Sequence, residues 1–164
     1  MINKIYIIGG ARSGKSFLGK NLSNKTRINH FNLDNVVFIE VGKQRRNTES
    51  INEKLNKILL SEKWIIEGAY AENWIVPALK KADMIIWLDT PPLIKLFRFL
   101  KQAIKKRKDG FKNFYGRGLL AVGLKYKKWD RSRACYQNLL RPFENKVIIL
   151  KSIRDSQYFL RTIY

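Results

Sequence analysis

Cysteine occurs once in the 164 residues, at Cys135, and histidine once, at His30. One cysteine cannot close an internal disulfide, and the two residues together supply no zinc-ligand spacing. Both are read as structural bystanders, which removes metal-cage and thiol chemistry from the candidate functions. No apolar run approaches the roughly 20 residues of a membrane span, and the apolar stretch before Gly9 is too short for a secretory signal. A cytoplasmic protein with no membrane partner is expected. Acidic residues are also few: 13 Asp and Glu stand against 33 Lys and Arg, a formal net charge of +20. Such an excess points toward a polyanionic partner. With 45% hydrophobic and 28% charged residues, the composition argues against disorder and suits one domain over 1–164 with its own core.

The charge is unevenly spread. Residues 101–133 hold twelve basic residues and two acids, Asp109 and Asp130, so half the net charge sits in one fifth of the chain. A solvated basic face and a phosphate-binding surface both account for it.

Along the chain, Ile5 to Ile8 is a glycine-bounded isoleucine run that suits a strand buried on both faces. Lys15 to Asn24 is helical in composition, with Phe17, Leu18 and Leu22 as the expected buried side. Phe31 to Phe38 reads as extended. Glu49 to Leu60 places Ile51, Leu55, Ile58 and Leu59 on one side of a helix. "WIIEG" (Trp64 to Gly68) and "MIIWLD" (Met84 to Asp89) are further strands, each ending on an acid, with a modest helix through Trp74, Ile75, Ala78, Leu79 and Ala82 between them. An amphipathic helix from Leu93 to Ile104 follows two prolines, then a glycine-rich loop from Asp109 to Gly123, then helical character from about Asp130. "KVIIL" (Lys146 to Leu150) and a helix from about Arg154 close the chain. Strands separated by helices predict an α/β fold, a parallel sheet with helices on both faces.

Gly9-Gly10-Ala11-Arg12-Ser13-Gly14-Lys15-Ser16 fits G-x-x-x-x-G-K-[ST] and lies between a strand and a helix, the context this phosphate-binding loop requires. Its glycines let successive backbone N–H groups converge, and the helix adds its unpaired N–H groups and positive dipole end. Lys15 is expected to reach the terminal phosphates of a nucleotide, and the Ser16 hydroxyl to ligate magnesium. Arg12 is expected to face solvent. Phe17, directly after the loop, completes the nucleotide-binding set that begins at Gly9. Magnesium also calls for an acid near the phosphates, and Asp34, Glu67 and Asp89 all stand at the ends of expected strands.

On "IIGGARSGKS", "HFNLDNVVF", "WIIEGAY", "ADMIIWLDTP" and "NKVIILKS", nearly the whole chain resembles the adenylate-kinase-like branch of the P-loop kinases. Within that branch it resembles the small DNA topology modulation proteins of the FlaR type. The resemblance implies a three-layer P-loop NTPase fold, with a five-stranded parallel sheet of order 2-3-1-4-5. It implies ATP with Mg2+ on the loop and a small-molecule acceptor under the helices after the second strand. Glu67 matches the acid that organises magnesium through water. Asp34 matches the acid that faces the acceptor, where it would orient or deprotonate a hydroxyl or help to hydrate the metal. The basic stretch at 101–133 matches a lid whose arginines neutralise developing charge.

The departures concern the acceptor. Related nucleoside monophosphate kinases carry an arginine shortly after the position of Asp34 and Pro-Arg after the third strand, whereas this chain reads "DNVVF" and "EGAY". Arg45 and Arg46 are the candidates to replace those clamps. The lid's usual arginine pair reads Arg98 and Gln102, which shifts the charge-neutralising role to Arg107, Arg131 and Arg133. The expected activity is a magnesium- and ATP-dependent kinase acting on a nucleotide, nucleoside or other hydroxyl compound, with weak ATPase turnover as a lesser form. The alternative is a nucleic-acid-associated NTPase in which the basic segment follows a DNA or RNA backbone while Phe111, Phe114, Tyr115, Tyr126 or Trp129 stack on bases. A nucleotide-binding module without turnover is the third.

Overall fold

The computed structural model describes residues 2–40, 44–91, 94 and 133–163. In chain order its elements are β1 (Lys4–Gly9), α1 (Lys15–Thr26), β2 (His30–Asn32), α2 (Leu33–Val37), β3 (Phe38–Glu40), β4 (Gln44–Arg45) and α3 (Thr48–Leu59). There follow β5 (Trp64–Gly68), a 3-10 turn (Asn73–Ile75), α4 (Val76–Lys81), β6 (Met84–Leu88), β7 (Val147–Leu150) and a C-terminal helix (Ile153–Thr162). A further helix spans 133–140 before β7.

Five strands form one parallel sheet in the order β2-β5-β1-β6-β7, which is 2-3-1-4-5 when the sheet strands alone are numbered. β1 lies at its centre, and Ile5, Tyr6, Ile7 and Ile8 are wholly buried. A strand covered on both faces needs apolar side chains without alternation, and the isoleucine run meets that need. Ile5 and Ile7 join Leu18 and Leu22 of α1 and Phe159 and Leu160 of the C-terminal helix. Tyr6 and Ile8 join Leu33 and Val37 of α2, Ile51 and Leu55 of α3, Leu79 of α4 and Tyr136. Helices therefore cover both faces, and each fully buried leucine or isoleucine contributes about 1.5–3 kcal/mol.

Register sets the position of the chemistry. Asn32 of β2 lies opposite Glu67 of β5, and Ile8 of β1 lies opposite Gly68. Gly9 lies opposite Leu88 of β6. The carboxyl ends of four strands thus finish along one edge, the edge at which parallel α/β sheets bind ligands.

Two expectations need correction. The stretch from Phe31 to Phe38 is not one strand, because β2 stops at Asn32 and residues 33–37 turn into α2. The Asn32 side chain accepts a hydrogen bond from the Asp34 backbone N–H at 2.7 Å and caps the new helix. Leu33, Val36 and Val37 then fall at helical spacing on the buried side. Phe17 is not buried with Leu18 and Leu22; it is 56% exposed. A small antiparallel hairpin, β3–β4, stands where no strand pair was expected. The helix expected from Leu93 to Ile104 and the glycine-rich loop from Asp109 to Gly123 lie outside the described residues.

Candidate active site

The loop between β1 and α1 is held open by its backbone. Gly14 adopts φ 106°, ψ 13° as the cap residue of α1, a conformation that an L side chain rarely takes. At Gly9 the constraint is space: a Cβ there would meet the Leu88 carbonyl oxygen at 2.8 Å and Ser13 Oγ at 3.0 Å. Arg12 carries a left-handed φ of 60° and is exposed, as expected. The loop closes with Ser13 N–H to the Gly10 carbonyl at 3.2 Å, and Thr90 beyond β6 donates to the Ser13 carbonyl at 3.2 Å. No side chain caps the start of α1, and no acid lies in its first turn. The first N–H groups of α1 therefore face the concavity with the positive end of its dipole, an arrangement that favours an anion.

Lys15 folds over this concavity and donates Nζ–H to the Gly10 carbonyl at 3.0 Å. Burial lowers its ammonium below the ordinary lysine value, while the charges of Glu67 and Asp34 oppose that fall. The same contributions bring the lysine, the acid ending β5 and the acid of α2 into one electrostatic neighbourhood. Glu67 is 1% exposed. Burial alone would raise its carboxyl, but the neighbouring His30, Ser16 and Lys15 hold it below the usual glutamate value. His30 Nε2 lies 3.4 Å from Glu67 Oε1, a contact that the bystander reading of His30 did not foresee.

Asp34 sits in the first turn of α2 rather than at a strand end. Tyr70 donates its hydroxyl to Asp34 Oδ1 at 2.7 Å and packs its ring against Trp74, centroids 5.3 Å apart. Burial raises the Tyr70 phenol well above its ordinary value, and the hydrogen bond to Asp34 and the Asp34 charge raise it further. Sequence reasoning missed Tyr70. The available signal was an aromatic two residues beyond Gly68, just past the strand end that carries Glu67.

The two arginines considered as acceptor clamps are engaged. Arg45 Nη2 lies 2.6 Å from Glu72 Oε2, and Arg46 donates to the Phe38 carbonyl. Asp89, the third candidate acid, is 7% exposed and accepts from Arg133 Nε at 3.2 and 3.0 Å and from Nη2 at 3.0 Å. Three residues along the same helix, the Tyr136 hydroxyl donates to the Ala69 carbonyl at 2.8 Å. The helix at 133–140 is thus tied to the ends of both β5 and β6. Arg107, Arg131, Arg98, Gln102 and the aromatic residues from Phe111 to Trp129 lie outside the described residues. So does the basic segment itself, apart from Arg133.

Magnesium fits this donor set. It generally takes one or two protein oxygens and completes its shell with water and substrate phosphates. Ser16 offers an exposed hydroxyl at the start of α1, and Glu67 offers a buried carboxylate. Glu67 Oε1 is buried against His30 Nε2, so a metal-bound water would be accepted by the other oxygen of the carboxylate. No helix among the described residues is long and apolar enough to cross a membrane.

No protein-family model matches the sequence, and no curated protein matches it. The likeness to DNA topology modulation proteins therefore rests on the motifs alone. Solved structures do match. A shikimate kinase from Acinetobacter baumannii in complex with shikimate superposes with a TM-score of 0.65 at 16% identity, covering 99% of this chain and 93% of that one. A shikimate kinase from Bacteroides thetaiotaomicron gives 0.59 at 14% identity over 99% and 97%. One from Aquifex aeolicus gives 0.59 at 15% identity over 98% and 92%. At these identities what is shared is architecture: the chain has the three-layer P-loop fold of these kinases, with the glycine loop following the central strand of its sheet.

Proposed function

We propose that the protein is a P-loop kinase that moves the terminal phosphoryl group of ATP to a hydroxyl of a small acceptor that carries no phosphate. One observation carries the reading. Lys15, which leads out of the loop, feels the charges of both Glu67 and Asp34, so a donor on the loop and an acceptor at Asp34 would share one electrostatic neighbourhood. The kinase fold of the solved neighbours supports it.

The loop N–H groups and the start of α1 bind the donor phosphates, and Lys15 neutralises their terminal charge. Ser16 and Glu67 would hold magnesium, Glu67 through water, and the metal would supply charge neutralisation at the transferring group. Phosphoryl transfer needs positioning and charge stabilisation more than covalent help. On the acceptor side, Tyr70 occupies Asp34 Oδ1 and fixes the carboxylate plane. Asp34 Oδ2 then orients the acceptor hydroxyl and takes its proton as the new bond to phosphorus forms and the bond from that phosphorus to the bridging oxygen breaks, releasing ADP. Arg133, at the end of the basic segment, is paired with Asp89 beyond β6.

The acceptor class follows from charge. Arg45 is paired with Glu72 and Arg46 with a backbone carbonyl, so neither presents an open fork to an anion, and Asp34 and Glu72 add negative charge. A neutral hydroxyl compound suits these surroundings better than a monophosphate. The test is ATP consumption with sugars and other polyols, nucleosides and nucleoside monophosphates, each added separately. Stimulation by a neutral hydroxyl compound is expected. A monophosphate that outperforms every neutral compound overturns the acceptor class, and tight ATP binding without stimulation by any acceptor reduces the protein to a nucleotide-binding module.

A further inference from the structure

His30 sits where three elements meet. Its strand pairs in parallel with β5, His30 opposite Ile65 and Asn32 opposite Glu67. Its Nε2 approaches Glu67 Oε1 to 3.4 Å, and its ring presses against α1 at Gly19. A Cβ on Gly19 would meet His30 Nε2 at 2.5 Å, Cδ2 at 2.8 Å and Cε1 at 3.2 Å. Glycine inside a helix weakens it relative to alanine. Here the missing methyl is the space in which the imidazole sits.

Both polar atoms of the contact are buried, and neither makes a hydrogen bond of ordinary geometry among the described residues. The separation is somewhat longer than a normal N–H···O bond, yet it puts each atom within reach of the other. A carboxylate that serves a metal through water needs a group behind it to fix its direction, and groups of that kind tune metal affinity. Glu67 has such a group on the strand that leads to the acceptor side.

We propose that His30 is a positioning residue for the nucleotide site. It holds Glu67 turned toward Ser16 and Lys15, so metal-dependent nucleotide binding relies on a side chain from β2 and on the glycine of α1 that makes room for it. The inference rests on the loop's being a magnesium–ATP site.

The test measures affinity for a fluorescent ATP analogue with and without magnesium, together with manganese binding by paramagnetic resonance, on the full chain. His30→Leu is expected to reduce the metal-dependent gain in nucleotide affinity by about 10- to 100-fold. Its metal-free affinity should hold, because the loop N–H groups and Lys15 are untouched. His30→Gln, which places an amide nitrogen near the position of Nε2, should recover most of the gain. Gly19→Ala should reproduce the His30→Leu loss in the natural background and add nothing in a His30→Ala background, where the methyl finds space. If Gly19→Ala does not fold, the Leu and Gln variants carry the test. A full metal-dependent gain in His30→Leu, with nucleotide binding abolished by Lys15→Ala, overturns the positioning role and leaves the nucleotide site standing. Unchanged binding in Lys15→Ala removes the site and the role together.

Discussion

The proposed donor and acceptor halves of the sheet edge are made of different material. On the donor side the working parts are mostly backbone: N–H groups converge because Gly14 takes a left-handed φ and Gly9 tolerates the approach of Leu88. On the acceptor side they are side chains on short elements, the five-residue α2, the residues after β5 and the β3–β4 hairpin. A backbone nest recognises phosphate whatever else the ligand carries. An acceptor site assembled from Asp34, Tyr70, Arg45 and Glu72, as proposed, would recognise through its pairings, and changing one partner would redirect the others. The first half is built to be general, the second to discriminate.

Substitutions can break that comparison, beginning with the largest effect. Asp34→Asn removes the proton acceptor and should lower turnover with any acceptor by about 100- to 10,000-fold, with nucleotide affinity unchanged by calorimetry. A parallel loss of nucleotide affinity would merge the two halves. Lys15→Ala removes charge-assisted hydrogen bonds to phosphate, each worth about 1.5–3 kcal/mol, so magnesium-dependent ATP affinity should fall on the order of 100-fold. Equal affinity in the variant and the natural protein means that the loop does not hold the nucleotide. Glu72→Gln frees Arg45 from a half-exposed pair of the kind worth about 0.2–1 kcal/mol. Phosphate-bearing compounds should then compete better for the acceptor site by up to about 5-fold, while donor binding stays as it was. Steady-state inhibition by a monophosphate, compared between variant and natural protein, reads this out.

The same division governs what could be read from the sequence. The loop was legible because its function lies in consecutive residues, with glycines at fixed spacing between an isoleucine run and a helix. Strands of buried isoleucine and tryptophan separated by helices predicted a parallel sheet, and the resemblance carried by the motifs implied its order. The acceptor half was not legible, because its partners are far apart in sequence: Tyr70 meets Asp34 across 36 positions and Arg45 meets Glu72 across 27. The misreading of Phe31 to Phe38 has a local cause. β-branched and aromatic residues in a row suggest a strand, yet Asn32 is a strong helix cap, and Leu33, Val36 and Val37 already carried the helical period. His30 was set aside because a lone histidine offers no ligand spacing. Its significance lies in a missing methyl on α1, which residue types alone do not reveal.

Tyr6 gives the sheet an optical indicator of its own integrity. It is completely buried in β1, and burial first, then the neighbouring Tyr136 and Tyr70, push its phenol far above the ordinary value. Burial likewise pushes Tyr136 up to about 12. In the unfolded chain both phenols lose their protons near pH 10. Below that pH their contribution to stability is complete; above it the unfolded chain binds fewer protons than the native one. Stability therefore falls with rising pH, by up to about 1.4 kcal/mol per pH unit for each tyrosine. In an alkaline titration a late, cooperative step in ultraviolet phenolate absorbance should coincide with loss of the circular dichroism signal. Tyr6→Phe should shrink that late step alone. A phenolate at position 6 would then mark the moment the central strand meets water.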